Sequence, residues 1–277
     1  MEHKTGHFQG RQDFQIYYQG WLPEGEPLAV LLVVHGLAEH GGRYTNVVEH
    51  FVPRGYAVYA PDHRGHGRSQ GQRVCVECFT DYVDDLKTFF DLVRGWHPHV
   101  KVFMVGHSMG GTISLAYALR HQDELAGLIL SGAGIKFNQA IPAALIPLCK
   151  LLAAILPRLG LATIDCGAIS RDPEAVAAYD NDPLVYRGKV TARLGVELME
   201  TGHSLPGQAS QLHLPTLIMH GSADQLVDPQ GSRWLYEALG AADKTLQIYE
   251  GFYHEIYNEL GRERVLSDVE AWLTAHV

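Results

Sequence analysis

The chain has 277 residues, which is enough for one large α/β domain with an inserted cap or for two small domains. Hydrophobic residues make up 46% of the chain and charged residues 19%, as is usual in soluble globular proteins. The net charge is −9 with no local run of lysine or arginine, so no nucleic-acid partner is expected, because a phosphate backbone attracts basic surfaces.

The first half of the chain alternates strand-like and helix-like segments. Residues 8–20 partly alternate polar and apolar side chains and are rich in β-forming residues, which predicts an opening hairpin. Apolar runs typical of strands buried in a parallel sheet follow at residues 28–34, 55–60, 102–105 and 125–131. Helical spacing of apolar residues lies between them at residues 45–54, 81–96 and 112–119. The pattern predicts an α/β fold with a mostly parallel central sheet flanked by helices.

This alternation stops at about residue 136. Residues 137–205 contain helix-like segments but no run that indicates a buried strand. Regular order resumes with strands at 214–220 and 246–249 and helices at 230–239 and 261–276. We interpret residues 137–205 as a helical cap inserted into a core formed by residues 1–136 and 206–277. The alternative is that these helices extend the core.

Two further features bear on location and chemistry. The N-terminal residues lack the apolar stretch of a signal peptide, and prolines and a lysine interrupt the most apolar region, so a cytoplasmic location is expected. The pair Cys75 and Cys78 stands without a second pair at zinc-binding spacing. We therefore expect these cysteines, with Cys149 and Cys166, to be ordinary thiols.

The stretch around Ser108 has the pattern of a nucleophile elbow. Gly106, Ser108 and Gly110 fit G-x-S-x-G, and they lie between the strand at 102–105 and the helix at 112–119. Glycine is needed at such a turn because side chains would collide there, and a strained backbone lifts the serine off the sheet. The sequence therefore predicts a nucleophilic serine at position 108.

A serine nucleophile needs a general base, and the base needs an orienting carboxylate. On this fold both follow later strands, in the order serine, acid, histidine. His254 follows the strand at 246–249, and Asp224 follows the strand at 214–220. Asp228 lies in the same loop as Asp224, but it precedes a proline and could cap the next helix. We predict that Asp224 is the acid.

The tetrahedral intermediate of acyl transfer needs two positioned N–H donors for its oxyanion. The first is expected from Met109, directly after the nucleophile. The second is expected from the loop after the strand at 28–34, where Gly36 permits close backbone approach and makes Leu37 the donor.

With these motifs the chain resembles the monoglyceride lipases of the α/β-hydrolase superfamily, close relatives of the lysophospholipases. The resemblance rests on residues 35–44, 62–69 and 106–111 and on the segments around Asp224 and His254. It implies hydrolysis of monoacylglycerols to glycerol and free fatty acid by a Ser-His-Asp triad without a cofactor.

The resemblance also implies roles for particular residues. It assigns Ser108, Asp224 and His254 to the triad and the backbone N–H groups of Leu37 and Met109 to the oxyanion. It further implies that three residues shape the polar end of the pocket near the glycerol group: Glu39, Arg43 and His107. Leu37 stands where the mammalian pattern has a smaller alanine, so the pocket is expected to be narrower there.

Residues 141–156 are too apolar for a freely solvated surface. They could line an acyl tunnel, touch a membrane surface transiently, or pack inward on the core. Other readings of the site are a lysophospholipase, a short-chain carboxylesterase or an aminopeptidase. A non-catalytic binding protein is a further alternative, but such proteins usually lose a triad residue and none is missing here.

Overall fold

The computed structural model describes residues 1–138 and 145–277, so residues 141–144 of the apolar stretch lie outside the described residues. The strands of the described chain are β1 (Glu2–Gln9), β2 (Gln15–Leu22), β3 (Ala29–Val34), β4 (Tyr56–Pro61), β5 (Lys101–His107), β6 (Gly127–Ser131), β7 (Gly160–Ala162), β8 (Val190–Thr191), β9 (Thr216–Gly221) and β10 (Lys244–Tyr249). The helices are α1 (Thr45–Phe51), α2 (Thr80–Trp96), α3 (Met109–His121), α4 (Ile146–Ile155), α5 (Pro173–Asn181), α6 (Ala192–Ser204), α7 (Pro229–Ala238) and α8 (Arg262–His276).

Eight of the strands form one central sheet in the order β1-β2-β4-β3-β5-β6-β9-β10. The first two form the predicted hairpin, and β2 also runs antiparallel to β4. All other neighbours in the sheet run parallel. The predicted mostly parallel sheet flanked by helices is therefore confirmed.

The apolar strands are continuous because both faces of the sheet are covered by helices. On β3, Val30, Leu32 and Val34 belong to a hydrophobic cluster that includes side chains of α2 and α3. The alternate residues Leu31 and Val33 belong to a second cluster, which includes side chains of α1 and α8. The fold is thus three layers, with the central strands fully removed from water.

The segment between β6 and β9 contains α4, α5, α6 and a short ribbon of β7 and β8. The sequence pattern did not indicate the ribbon because its strands have only 3 and 2 residues. Helix α6 packs on the core, since Leu194 and Leu198 join the α2–α3 cluster. Helix α4 packs on α6 through Ala153 and Val196. None of the described helices combines the length and the hydropathy needed to cross a membrane.

A buried ion pair fixes the loop after β4 to helix α2. Arg64 donates through Nε to Asp85 Oδ2 at 2.7 Å and through Nη2 to Asp85 Oδ1 at 2.8 Å. Asp85 also accepts from the backbone N–H of Arg11 in the hairpin turn, at 2.7 Å. Both side chains of the pair are almost fully buried. Because neither charge can be solvated alone, each depends on the other.

We expect Asp85→Ala to lower the free energy of unfolding by about 3–5 kcal/mol, because it leaves Arg64 buried without its main partner. The measurement is denaturant unfolding at neutral pH. Asp91→Ala on the same helix is the matched control: Asp91 pairs with Lys87 but is 58% exposed, so its loss should cost about 0–1 kcal/mol. Equal effects of the two substitutions would contradict the structural role of Arg64 and Asp85.

Candidate active site

Ser108 occupies a sharp turn between β5 and α3. Its backbone angles are φ 54° and ψ −120°, a region that costs energy for a residue with a side chain. A Cβ at Gly110 would collide with backbone oxygens at the end of β3, and one at Gly106 would come within 2.6 Å of the carbonyl oxygen of Gly110. The two glycines are therefore what allows the chain to turn there.

Asp224 and His254 form a buried pair at the carboxyl ends of β9 and β10. His254 Nδ1 lies 2.6 Å from Asp224 Oδ2. The same oxygen lies 3.0 Å from His220 Nε2, and the other oxygen accepts from the backbone N–H groups of Leu226 and Val227 at 2.8 and 2.9 Å. A carboxylate only accepts, so Nδ1–H donates and Nε2 of His254 is left to accept a proton.

The pair shifts the protonation of both partners. Burial alone would raise the pKa of Asp224, but its contacts with His254 and His220 outweigh burial and hold that pKa below its usual range. Burial alone would lower the pKa of His254, but the charges of Asp224, Glu255 and Glu39 outweigh it and raise that pKa above 6.5. The raised pKa makes His254 a stronger base than an isolated histidine, which suits the role of a general base.

Ser108 and His254 line the same cavity. A hydrogen bond between them is not formed in the structure, although both residues lie in its described part. Such bonds are often long until substrate binds.

Asp228, the alternative acid, forms no hydrogen bond with His254 in the described part of the chain. It caps α7 by accepting from the N–H of Gln230 at 2.8 Å, and it pairs with Lys136 at 2.6 Å.

Two backbone amides are available near Ser108. Met109 is the first residue of α3, and Leu37 lies on the loop after β3 at the wall of the cavity. Neither amide N–H has an acceptor among the described residues. The amino end of α3 also favours negative charge through the aligned peptide dipoles of the helix.

A buried network of three charges lies beside the pair. Arg43 donates to Glu39 Oε2 at 2.8 Å and to both oxygens of Glu255 at 2.6 and 2.7 Å. Glu39 also accepts from the Tyr44 hydroxyl at 2.9 Å, and the guanidinium lies 4.5 Å from the ring centre of Tyr179 on α5. Both carboxylates line the cavity, whereas Arg43 lies behind them.

The pKa values of the two glutamates of this network and of His107 shift in different directions. Burial would raise the pKa of Glu255, but the charge of Arg43 lowers it to about 2. Burial raises the pKa of Glu39 in spite of Arg43. His107 lines the cavity, and burial and the neighbouring His254 lower its pKa to about 3, so its ring is neutral at pH 7.

Glu255 was not among the candidate residues from the sequence. In the sequence, the one feature that draws attention to Glu255 is its position directly after His254. Neither spacing nor pattern indicates that it pairs with Arg43. Arg43 and Glu255 are 212 residues apart in the chain.

The cavity has a volume of about 300 Å³, and its polar lining residues outside the cluster around Ser108 are Thr163, Asp165, Thr191 and Gln225. The polar end holds Ser108, His254, Glu39, Glu255 and His107. The remaining wall is mostly apolar, and much of it comes from the segment between β6 and β9. Its apolar residues are Phe137, Leu161, Ala162, Ile164, Ile169, Val190, Val196, Leu198, Met199, Leu226 and Val227.

The sheet and the serine turn together define an α/β-hydrolase. The sequence profile of the serine aminopeptidase S33 family matches residues 25–261. A protein of Mycolicibacterium smegmatis named monoacylglycerol lipase is 38% identical over 98% of this chain and 96% of its own.

Solved structures agree with this result. The monoacylglycerol lipase of Paleococcus ferrophilus has a TM-score of 0.83 and 30% identity, over 100% of both chains. A soluble variant of the monoglyceride lipase of Saccharomyces cerevisiae, in complex with a substrate analog, has a TM-score of 0.87 and 27% identity, over 99% of this chain and 95% of that one. The chain belongs to the serine aminopeptidase S33 family and is a serine hydrolase acting on esters. The resemblance seen in the motifs is confirmed.

We expect Asp224→Asn to lower the pKa of His254, because the negative charge is lost while burial remains. The measurement is an NMR titration of the histidine rings. A His254→Gln variant assigns the signal among the 16 histidines. Asp228→Asn, in the same loop, should leave the pKa unchanged. An unchanged pKa in Asp224→Asn would show that the pair does not control His254.

Proposed function

We propose that this protein hydrolyses monoacylglycerols to glycerol and free fatty acid through an acyl-enzyme intermediate on Ser108. The observation that carries the proposal is one cavity in which Ser108 and His254, the latter paired with Asp224, lie at a polar end and the remaining wall is mostly apolar. A monoacylglycerol has the same division into a small polar group and one long acyl chain. The names of the relatives support the same substrate.

The residues act in two steps in this proposal. His254 Nε2 takes the proton of Ser108 as Oγ attacks the ester carbonyl, and Asp224 stabilises the resulting imidazolium. The N–H groups of Leu37 and Met109 hold the oxyanion. His254 then gives the proton to the glycerol oxygen, which leaves. A water molecule, activated by His254, attacks the acyl-enzyme and releases the fatty acid. No step needs a cofactor.

We assign the polar end to the glycerol group. Glu39 and Glu255 present carboxylate oxygens to the cavity and can accept hydrogen bonds from hydroxyls, while Arg43 holds both in place from behind. His107 is neutral and lies on the same wall. Among the described residues that line the cavity, none is lysine or arginine.

The charges of the cavity favour an uncharged head group over the alternatives. A lysophospholipid would bring its phosphate next to Glu39 and Glu255 with no lining cation to pair with it. An aminopeptidase substrate would bring an ammonium group, but both carboxylates are already paired with Arg43. The glycerol of a monoacylglycerol imposes neither cost.

We expect Ser108→Ala to lower kcat on monoacylglycerols by about 10⁵–10⁶-fold, because the nucleophile is lost. The assay is hydrolysis of a monoacylglycerol series from short to long acyl chains, beside di- and triacylglycerols and a lysophospholipid. Serine-dependent activity should be concentrated on the monoacylglycerols. Activity only on short soluble esters would contradict the proposed substrate, and equal activity of the two proteins would contradict the role of Ser108.

We also propose that residues 137–205 act as a cap on a core of residues 1–136 and 206–277, with transient contact to a membrane surface. Residues of this segment supply much of the apolar wall. On and beyond α4 several large apolar side chains are about half exposed: Leu145, Leu148, Leu151, Ile155, Leu156 and Leu159. A helix with such a face can lie in the lipid interface. The cytoplasmic location stays a prediction.

The double substitution Leu148→Ser, Leu151→Ser should reduce co-sedimentation with phosphatidylcholine vesicles carrying monooleoylglycerol, and the rate of hydrolysis there, by about tenfold or more. Hydrolysis of a soluble short-chain ester should not change, because α4 does not contribute to the cavity wall among the described residues. Leu28→Ser is the control: Leu28 is 58% exposed but precedes the amino end of β3. Unchanged vesicle binding and rate in the double variant would contradict the membrane contact.

A further inference from the structure

The loop after β3 holds its backbone in place with buried side chains. Two consecutive peptide units, between residues 35 and 37, contain four polar groups. The carbonyl of His35 accepts from His63 Nε2–H at 3.0 Å, and the N–H of Gly36 donates to Glu39 Oε1 at 2.6 Å. The carbonyl of Gly36 accepts from His35 Nδ1–H at 2.8 Å. The fourth group is the N–H of Leu37, which has no acceptor among the described residues.

The hydrogen bonds of His35 specify one form of its ring. Nδ1 faces a carbonyl oxygen, which can only accept, so Nδ1 carries a proton. Nε2 lies 2.9 Å from the backbone N–H of His63, which can only donate, so Nε2 carries none. The side chain is fully buried, and burial with the neighbouring His63 and His66 lowers its pKa well below the usual range. The ring is therefore neutral and held at both nitrogens.

Holding the carbonyl of Gly36 also sets the direction of the N–H of Leu37. The two groups belong to one planar trans peptide, in which the C=O and the N–H point in opposite directions. When the ring of His35 holds the oxygen on its own side, the hydrogen points away from the ring. Gly36 and Leu37 line the cavity beside Ser108.

We propose that His35 is a positioning residue for the oxyanion site, whose Nδ1–H fixes the Gly36–Leu37 peptide so that the N–H of Leu37 faces the cavity. The inference rests on the proposed function, since it takes Leu37 as an oxyanion donor. His63 supports the arrangement twice, with its backbone on His35 Nε2 and its ring on the carbonyl of His35. A donor that is fixed before the reaction needs no reorganisation when charge develops.

Two substitutions of the same shape test this role. Asparagine in His35→Asn keeps an N–H donor near the position of Nδ1, whereas leucine in His35→Leu has none. The readouts are kcat and KM on a soluble short-chain ester, inhibition by an alkyl trifluoromethyl ketone, and binding of a fatty acid. The ketone forms a tetrahedral adduct with the serine and depends on the oxyanion donors, whereas the fatty acid does not form that adduct.

We expect His35→Leu to lower kcat about 10²-fold and to weaken the ketone by a similar factor, as for loss of one oxyanion donor. KM and fatty-acid binding should stay unchanged, and His35→Asn should recover at least tenfold of the loss. A folded leucine variant with kcat and ketone inhibition within twofold of the wild type would overturn the proposal. If the wild type cleaves short esters but not monoacylglycerols, the proposed substrate is wrong, and the same comparison still tests His35.

A second measurement does not depend on His35→Leu. Nitrogen-15 NMR of the histidine rings in the wild-type protein at neutral pH should show His35 protonated at Nδ1 and unprotonated at Nε2. This readout tests the proposed arrangement of the His35 ring even if His35→Leu fails to fold. A ring protonated at Nε2, or at both nitrogens, would overturn the proposed arrangement.

Discussion

The site depends on one property of parallel sheets, which place the carboxyl ends of neighbouring strands at the same edge. Val34 on β3 pairs with Gly106 on β5, and Gly221 on β9 pairs with Tyr249 on β10, so these strands end at matching levels. The loops that follow them carry the proposed oxyanion donor, nucleophile, acid and base. Groups more than 200 residues apart in the chain therefore meet without any local sequence signal that joins them.

The same edge gathers an excess of negative charge away from water. Asp224, Glu39 and Glu255 are all buried; Arg43 pairs with the two glutamates, and His254 donates a hydrogen bond to Asp224. Burying a carboxylate is costly unless hydrogen bonds and a counter-charge replace its water. Glu39 and Glu255 have both through Arg43, and Asp224 accepts hydrogen bonds from His254 and from two backbone N–H groups. Because the charges of all three also raise the pKa of His254, the network that keeps the site stable also sets the basicity of its proposed general base.

The sequence predicts the parts of this molecule that follow from local rules. The central strands, the turn at Ser108 and the placing of candidates after strands all come from patterns within about ten residues. The sequence predicts far fewer of the contacts between residues that are distant in the chain. The ion pair of Arg43 with Glu255 and the hydrogen bonds between His35 and His63 produce no periodic pattern in the sequence. Any loop can carry such side chains, so their contacts cannot be predicted from it. The ribbon of β7 and β8 is too short for alternation to reveal it.

The segment between β6 and β9 carries two separate apolar surfaces, one on the cavity wall and one on the exposed face of α4. Helix α6 carries Val196 and Leu198 on the cavity wall, and Leu194 and Leu198 tie it to the core cluster. Thr191, just before it, donates to the carbonyl of Val74 at 2.6 Å. Helix α4 instead rests on α6 through a small cluster and turns its leucines outward. The wall proposed to hold the acyl chain is thus fixed by the core. The surface proposed to meet lipid lies one helix away, and Val196 contacts α4 while it also lines the cavity.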